Sequence, residues 1–219
     1  MRLILCVLAA MSGAAALAQA PLRSTSQNPL YPAQTLAIAG VKLGMTPPEV
    51  DAAARSTGYT RSRQDRGENW DARIARLVAM NRSIRIPGSG EIIRREEYKK
   101  GEEELQVEYN ATPRGAAVAT VRYELGNDAI TASRFREAAL ARYGAPTRPS
   151  EMQMMYCSAG EIACTPVDFP TATQEPNIIV DIPLRAITLS LGARLWREHS
   201  AMERAEMNRR APKVQRPTF

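Results

Sequence analysis

The chain has 219 residues, 29 Lys and Arg against 23 Asp and Glu for a formal charge of +6, one histidine and three cysteines. That length is enough for one domain with a real core, or two small ones sharing a sheet. A single imidazole excludes multi-histidine metal sites and leaves a Ser–His or Cys–His pair only His199 to draw on.

Arg2 precedes an uncharged apolar run from Leu3 to Leu17, and Ala16 and Ala18 have the small-residue spacing of a signal-peptidase site. The run is shorter than the roughly 18 to 20 residues a membrane span needs. A cut after Ala20 would place Pro21 next to the scissile bond, so cleavage after Ala18 is favoured. Residues 1–18 are therefore expected to be a signal peptide, and the protein periplasmic or secreted, with no transmembrane segment after cleavage. Export argues against a nucleic-acid partner for the basic charge. Residues 19–35, rich in Pro, Ser, Gln and Asn, read as a linker.

Thr46-Pro47-Pro48-Glu49 has the form of a capping box with proline at N1. Met45 and Val50 are spaced for a hydrophobic staple, so a helix is expected to about Ser56, with Gly58 beyond its end. Arg61, Arg63 and Arg66 follow as a basic run in what reads as a loop, suited to phosphate or carboxylate groups. Trp70, Ile74, Leu77 and Val78 form a helical stripe over Trp70 to Met80. Arg76 falls off this stripe and Arg73 at its margin.

Pro87-Gly88-Ser89-Gly90 ends the helical stretch, and a meander is expected over Glu91 to Lys100, Glu104 to Asn110 and Ala117 to Leu125. Leu105, Val107 and Tyr109 alternate with polar residues, which predicts one apolar and one wet face. Glu96, Glu97, Glu102, Glu103 and Glu104 read as solvated charges around a strand turn. A third helix, from about Thr131 to Tyr143, stops at Gly144 with Pro146 beyond it. Strands are expected over Glu151 to Ser158, Asn177 to Asp181 and Ala186 to Leu191. Met152, Met154 and Met155 are soft donors of the kind that bind Cu(I), but strand alternation divides them between two faces. Cys157 and Cys164 remain once Cys6 leaves with the signal, and their spacing predicts a structural disulfide. Residues 193–219 read as a charged helix and a loose tail.

Catalytic motifs are absent: there is no Gly-x-Ser-x-Gly, Ser-x-x-Lys, phosphate-cradling loop or dinucleotide fingerprint. No metal site and no cofactor is expected. The segment from Gly40 to Val50, a Gly-Met-Thr start leading into a capped helix, resembles small exported modules of the SmpA/OmlA and β-lactamase-inhibitor-like type. That resemblance implies helices on one face of an antiparallel sheet and a role in protein–protein contact. The lipid-anchoring cysteine of the SmpA/OmlA type is missing, and Ser56-Thr57-Gly58-Tyr59 replaces the usual end of the first helix.

The expected fold is α+β, with helices packed on one face of antiparallel sheet and a helical C-terminal extension. Residues 36–192 form the domain, either one unit or two similar helix–sheet units. The leading functional expectation is a non-catalytic interaction module of the bacterial cell envelope, docking a protein partner through Leu195, Trp196 and Met202. The alternative is a binding protein for a small anionic envelope ligand, using Arg61, Arg63 and Arg66. A hydrolase built on paired carboxylates is the third.

Overall fold

The computed structural model describes residues 36–126, 129–157, 166–167, 169–173 and 175–211. The expected signal peptide, the linker, Cys164 and the tail beyond residue 211 lie outside these. Among the described residues, no helix is long and apolar enough to cross a membrane.

Helix α1, Pro47–Ser56, begins as the capping pattern predicts. The Thr46 N–H and hydroxyl both donate to Glu49 Oε2 at 2.8 Å, which satisfies a donor at the helix start. Val50 and Ala54 are buried, and Met45 packs against the same core. Strand β1, Thr60–Glu68, comes next. This corrects the loop expected around Arg61, Arg63 and Arg66. The strand lies at the sheet edge, where charged side chains reach solvent and discourage pairing with another chain, so its polarity conceals its extended backbone.

Helix α2, Trp70–Arg82, is capped by Asn69, whose side chain accepts from the Ala72 N–H at 2.9 Å. Strands β2 (Glu91–Lys100), β3 (Glu103–Thr112) and β4 (Gly115–Leu125) form the expected meander. Helix α3, Ala132–Tyr143, leads to β5 (Arg148–Pro149) and β6 (Gln153–Cys157). The short pair β7 (Pro166–Val167) and β8 (Phe169–Thr173) precedes β9 (Asn177–Asp181), β10 (Ala186–Ser190) and helix α4 (Ala193–Arg210).

Eight of these strands form one antiparallel sheet in the order β1-β2-β3-β4-β10-β9-β6-β5. The fold is α+β. Strands β1 to β4 make one meander, β5, β6, β9 and β10 another, and each follows a helix, α1 or α3. Their last strands, β4 and β10, pair at the centre with Val121 opposite Leu189.

Strand alternation sorts the sheet faces. Val107, Val121, Leu189 and Ile178 face one side, where α1 and α3 cover them through Val50, Ala54, Phe135 and Ala139. Met154 is buried in this core, whereas Met152 is exposed, so the methionines do not form one soft donor set. Arg95, Glu108 and Thr120 face the other side. Helices α2 and α4 pack on one another, with Trp70, Ile74 and Val78 in a smaller apolar cluster joined by Met202 and Met207.

Candidate functional site

A cleft of about 790 Å³ lies where α2 and the start of α4 meet the polar sheet face. Two β-bulges shape it. The register of β1 and β2 slips between Asp65 and Arg66, skipping Arg94, and the register of β3 and β4 slips after Glu108, skipping Ala119. A bulge re-aims side chains that would otherwise alternate. Arg94 and Arg95, though adjacent, both line the cleft, and so do Ala119 and Thr120.

Five arginines contribute to its wall: Arg66, Arg73, Arg76, Arg94 and Arg95. Three are occupied. Arg76 Nε lies 2.8 Å from Glu68 Oε2, Arg95 reaches Glu97 Oε1 at 2.7 Å, and Arg73 donates to Glu203. Arg66 and Arg94 are exposed and have no carboxylate partner among the described residues.

The floor adds buried polar atoms. His199 is 3% exposed and its ring stands edge-on to Trp70 and Trp196. Its Nε2 lies 3.1 Å from Glu203 Oε1. Burial pushes the Glu203 carboxyl up, but hydrogen bonds from His199 and Arg73 outweigh it and hold the group at about 2. Glu203 is therefore an acceptor at neutral pH, and His199 Nε2 carries the donated proton. That leaves Nδ1 as a lone pair in the neutral ring, or a second donor in the charged one. Nδ1 is buried with no partner among the described residues, and the same holds for Arg95 Nε. Both atoms are enclosed by protein, so a ligand in the cleft would meet the guanidinium ends and the Trp196 ring rather than these nitrogens.

The sequence-derived residues are divided by this geometry. Arg61 sits on the core side, 2.9 Å from Glu96 Oε1, and Arg63 pairs with Asp65 at 3.0 Å. Only Arg66 of that run lines the cleft. The register slip between Arg61 and Arg63 turns the two arginines to opposite faces. On α4, Leu195 is 2% exposed within the main core and Met202 packs against the Trp70 cluster. Trp196, 42% exposed, lines the cleft.

Glu96 corrects another expectation. It is fully buried, not a solvated edge charge, and accepts from Tyr98, Tyr109, Arg61 and Gln64.

Arg73, Arg76, Arg94, Arg95 and His199 were not assigned to a site from sequence. Arg76, off the apolar stripe of α2, and Arg73, at its margin, are three apart and share a helix face, which is the available signal. Among the described residues, no group of three or more His, Cys, Asp or Glu is placed to hold a metal ion. Comparison with protein families, curated proteins and solved structures finds no match for the chain.

Proposed function

We propose that the protein is a non-catalytic binding protein of the cell envelope whose cleft takes a small ligand with two or more phosphate or carboxylate groups. The observation that carries this reading is that Arg66 and Arg94 both line the cleft, exposed and without carboxylate partners among the described residues. A guanidinium presents a planar fork that matches such oxyanions with two parallel hydrogen bonds. Trp196 gives the ligand an aromatic surface beside the charges.

This reading is favoured over partner docking through α4. A docking helix needs its apolar anchors outward, whereas Leu195 and Met202 turn inward and only Trp196 is exposed.

The test is a calorimetric titration with pyrophosphate, repeated with Arg66→Gln/Arg94→Gln. Saturable binding that weakens with added salt and is lost in the double variant supports the reading, because screening acts on exposed charge contacts. Absent binding, or binding indifferent to the double variant, rejects it.

A further inference from the structure

A second cavity lies on the opposite sheet face, the one covered by α1 and α3. It occupies about 450 Å³ beside α3 and the end of α1, over β4 and β10. Its lining is largely apolar, with Ile38, Tyr123, Leu125, Ile130 and Phe135. Tyr123, Leu125 and Ile130 pack against the core yet remain partly exposed. Apolar side chains so placed gain when something apolar covers them.

The charged groups in its lining are asymmetric. Lys100 and Arg142 face one acid, Glu103. Glu103 is already engaged: the Tyr59 hydroxyl donates to its Oε2 at 2.5 Å, and Lys100 Nζ stands 3.7 Å from its Oε1. The Arg142 guanidinium lies 5.8 Å over the Tyr143 ring and has no carboxylate partner among the described residues. The cavity therefore combines an apolar lining with one surplus cation, at Arg142.

We infer that this cavity binds a single acyl chain carrying an anionic head. The chain covers Tyr123, Leu125 and Ile130, and the head meets Arg142, with Lys100 beside it. The volume falls within the roughly 300–1,000 Å³ of small-molecule sites. The surplus positive charge selects an anionic head over a cationic one. A free fatty acid and a singly acylated phospholipid share this chemistry.

The test is a calorimetric titration with dodecanoate below its micelle-forming concentration. The expected result is saturable one-to-one binding, with dodecyltrimethylammonium, of equal chain length but opposite charge, at least about tenfold weaker. Ala138 is exposed on α3 and lines the cavity, so Ala138→Trp fills it without entering the core and abolishes binding. Arg142→Gln, also at an exposed position, weakens dodecanoate about three- to fivefold, as expected for one exposed charge contact. Circular dichroism confirms that both variants are folded. Arg66→Gln/Arg94→Gln leaves dodecanoate binding unchanged, which separates this site from the arginine cleft. If the two head groups bind equally, or dodecanoate binds Ala138→Trp as it binds the parent, the inference is overturned. A parallel titration with 1-dodecanoyl lysophosphatidylglycerol distinguishes the sources: tighter binding than dodecanoate assigns a singly acylated phospholipid, and weaker binding assigns a free fatty acid.

Discussion

The Tyr109 hydroxyl donates to Glu96 Oε2 at 2.5 Å, binding β3 to β2 inside the core. Tyr98 donates to the same oxygen at 3.0 Å, while Arg61 and Gln64 reach the other at 2.9 Å. Burial pushes the Glu96 carboxyl up, but these four donors outweigh it and hold the group below the usual carboxylate range. Removing the carboxylate strands all four. Glu96→Ala is expected to cost about 3–5 kcal/mol, the loss seen when one member of a buried charged network is deleted. Tyr109→Phe removes a single bond and should cost about 1–3 kcal/mol. Urea unfolding midpoints measure both, and equal losses would show that Glu96 is not the hub of the cluster.

Acid should attack the contact between α2 and α4 next. Glu203 is held at about 2, below its ordinary 4.5, by His199 and Arg73 after burial has been overcome. A depressed folded value stabilises the protein above the unfolded value, and this share is lost as pH falls from about 4.5 towards 2. Glu203→Gln should therefore lower the melting temperature near neutral pH and flatten its decline across that acid window. A variant curve parallel to the parent through the window would mean that the ion pair does not couple folding to pH.

How far the sequence revealed these features follows from the range of the interactions involved. The start of α1 was legible because its signal is local: Thr46, Pro47 and Glu49 act within one turn. The stripe of α2 and the alternation of β3 and β4 were legible for the same reason. Strand β1 was not, since an edge strand with Arg61, Arg63, Asp65 and Arg66 has the polarity of a loop. The cleft depends on contacts far apart in the chain, such as Arg73 with Glu203, and on bulges that set Arg94 beside Arg95. Alternation read from sequence sends those two neighbours to opposite faces. Glu96 reads as solvated because three of its four donors, Arg61, Gln64 and Tyr109, become neighbours only through strand register.

Neighbouring residues on α4 should respond in opposite ways. Leu195 is buried in the main core, and Leu195→Ala is expected to cost about 2–5 kcal/mol through lost contacts and a cavity. Trp196 is exposed, so Trp196→Ala should stay within about 0.5 kcal/mol of the parent in thermal unfolding. A large loss of stability with Trp196→Ala would assign that ring to packing.

Cys157 closes β6, and a bond to Cys164 is proposed from their spacing alone. Alkylation of unreduced, unfolded protein followed by mass measurement should find neither thiol modified. Reduction should then lower stability by about 2 kcal/mol, the chain-entropy effect of so short a loop. Two alkylated cysteines before reduction would reject the bond.

Gly67 offers a sharper test of the cleft, because it acts on Arg94 without removing charge. A Cβ added at Gly67 would lie 3.0 Å from Arg94 Cδ and 3.3 Å from Arg94 Cβ. The first atom can swing away, but the second is fixed by the bulged backbone of β2. Gly67→Ala should therefore displace the Arg94 side chain while the edge strand stays paired. Pyrophosphate binding is expected to weaken about as much as in Arg94→Gln, with a smaller change in the unfolding midpoint than Leu195→Ala produces. In a double variant with Arg94→Gln, Gly67→Ala should add little further loss, since substitutions acting through one group are not additive. Full additivity of the two losses would show that Gly67 does not act through Arg94, and the position of that guanidinium would cease to be the determinant of anion binding.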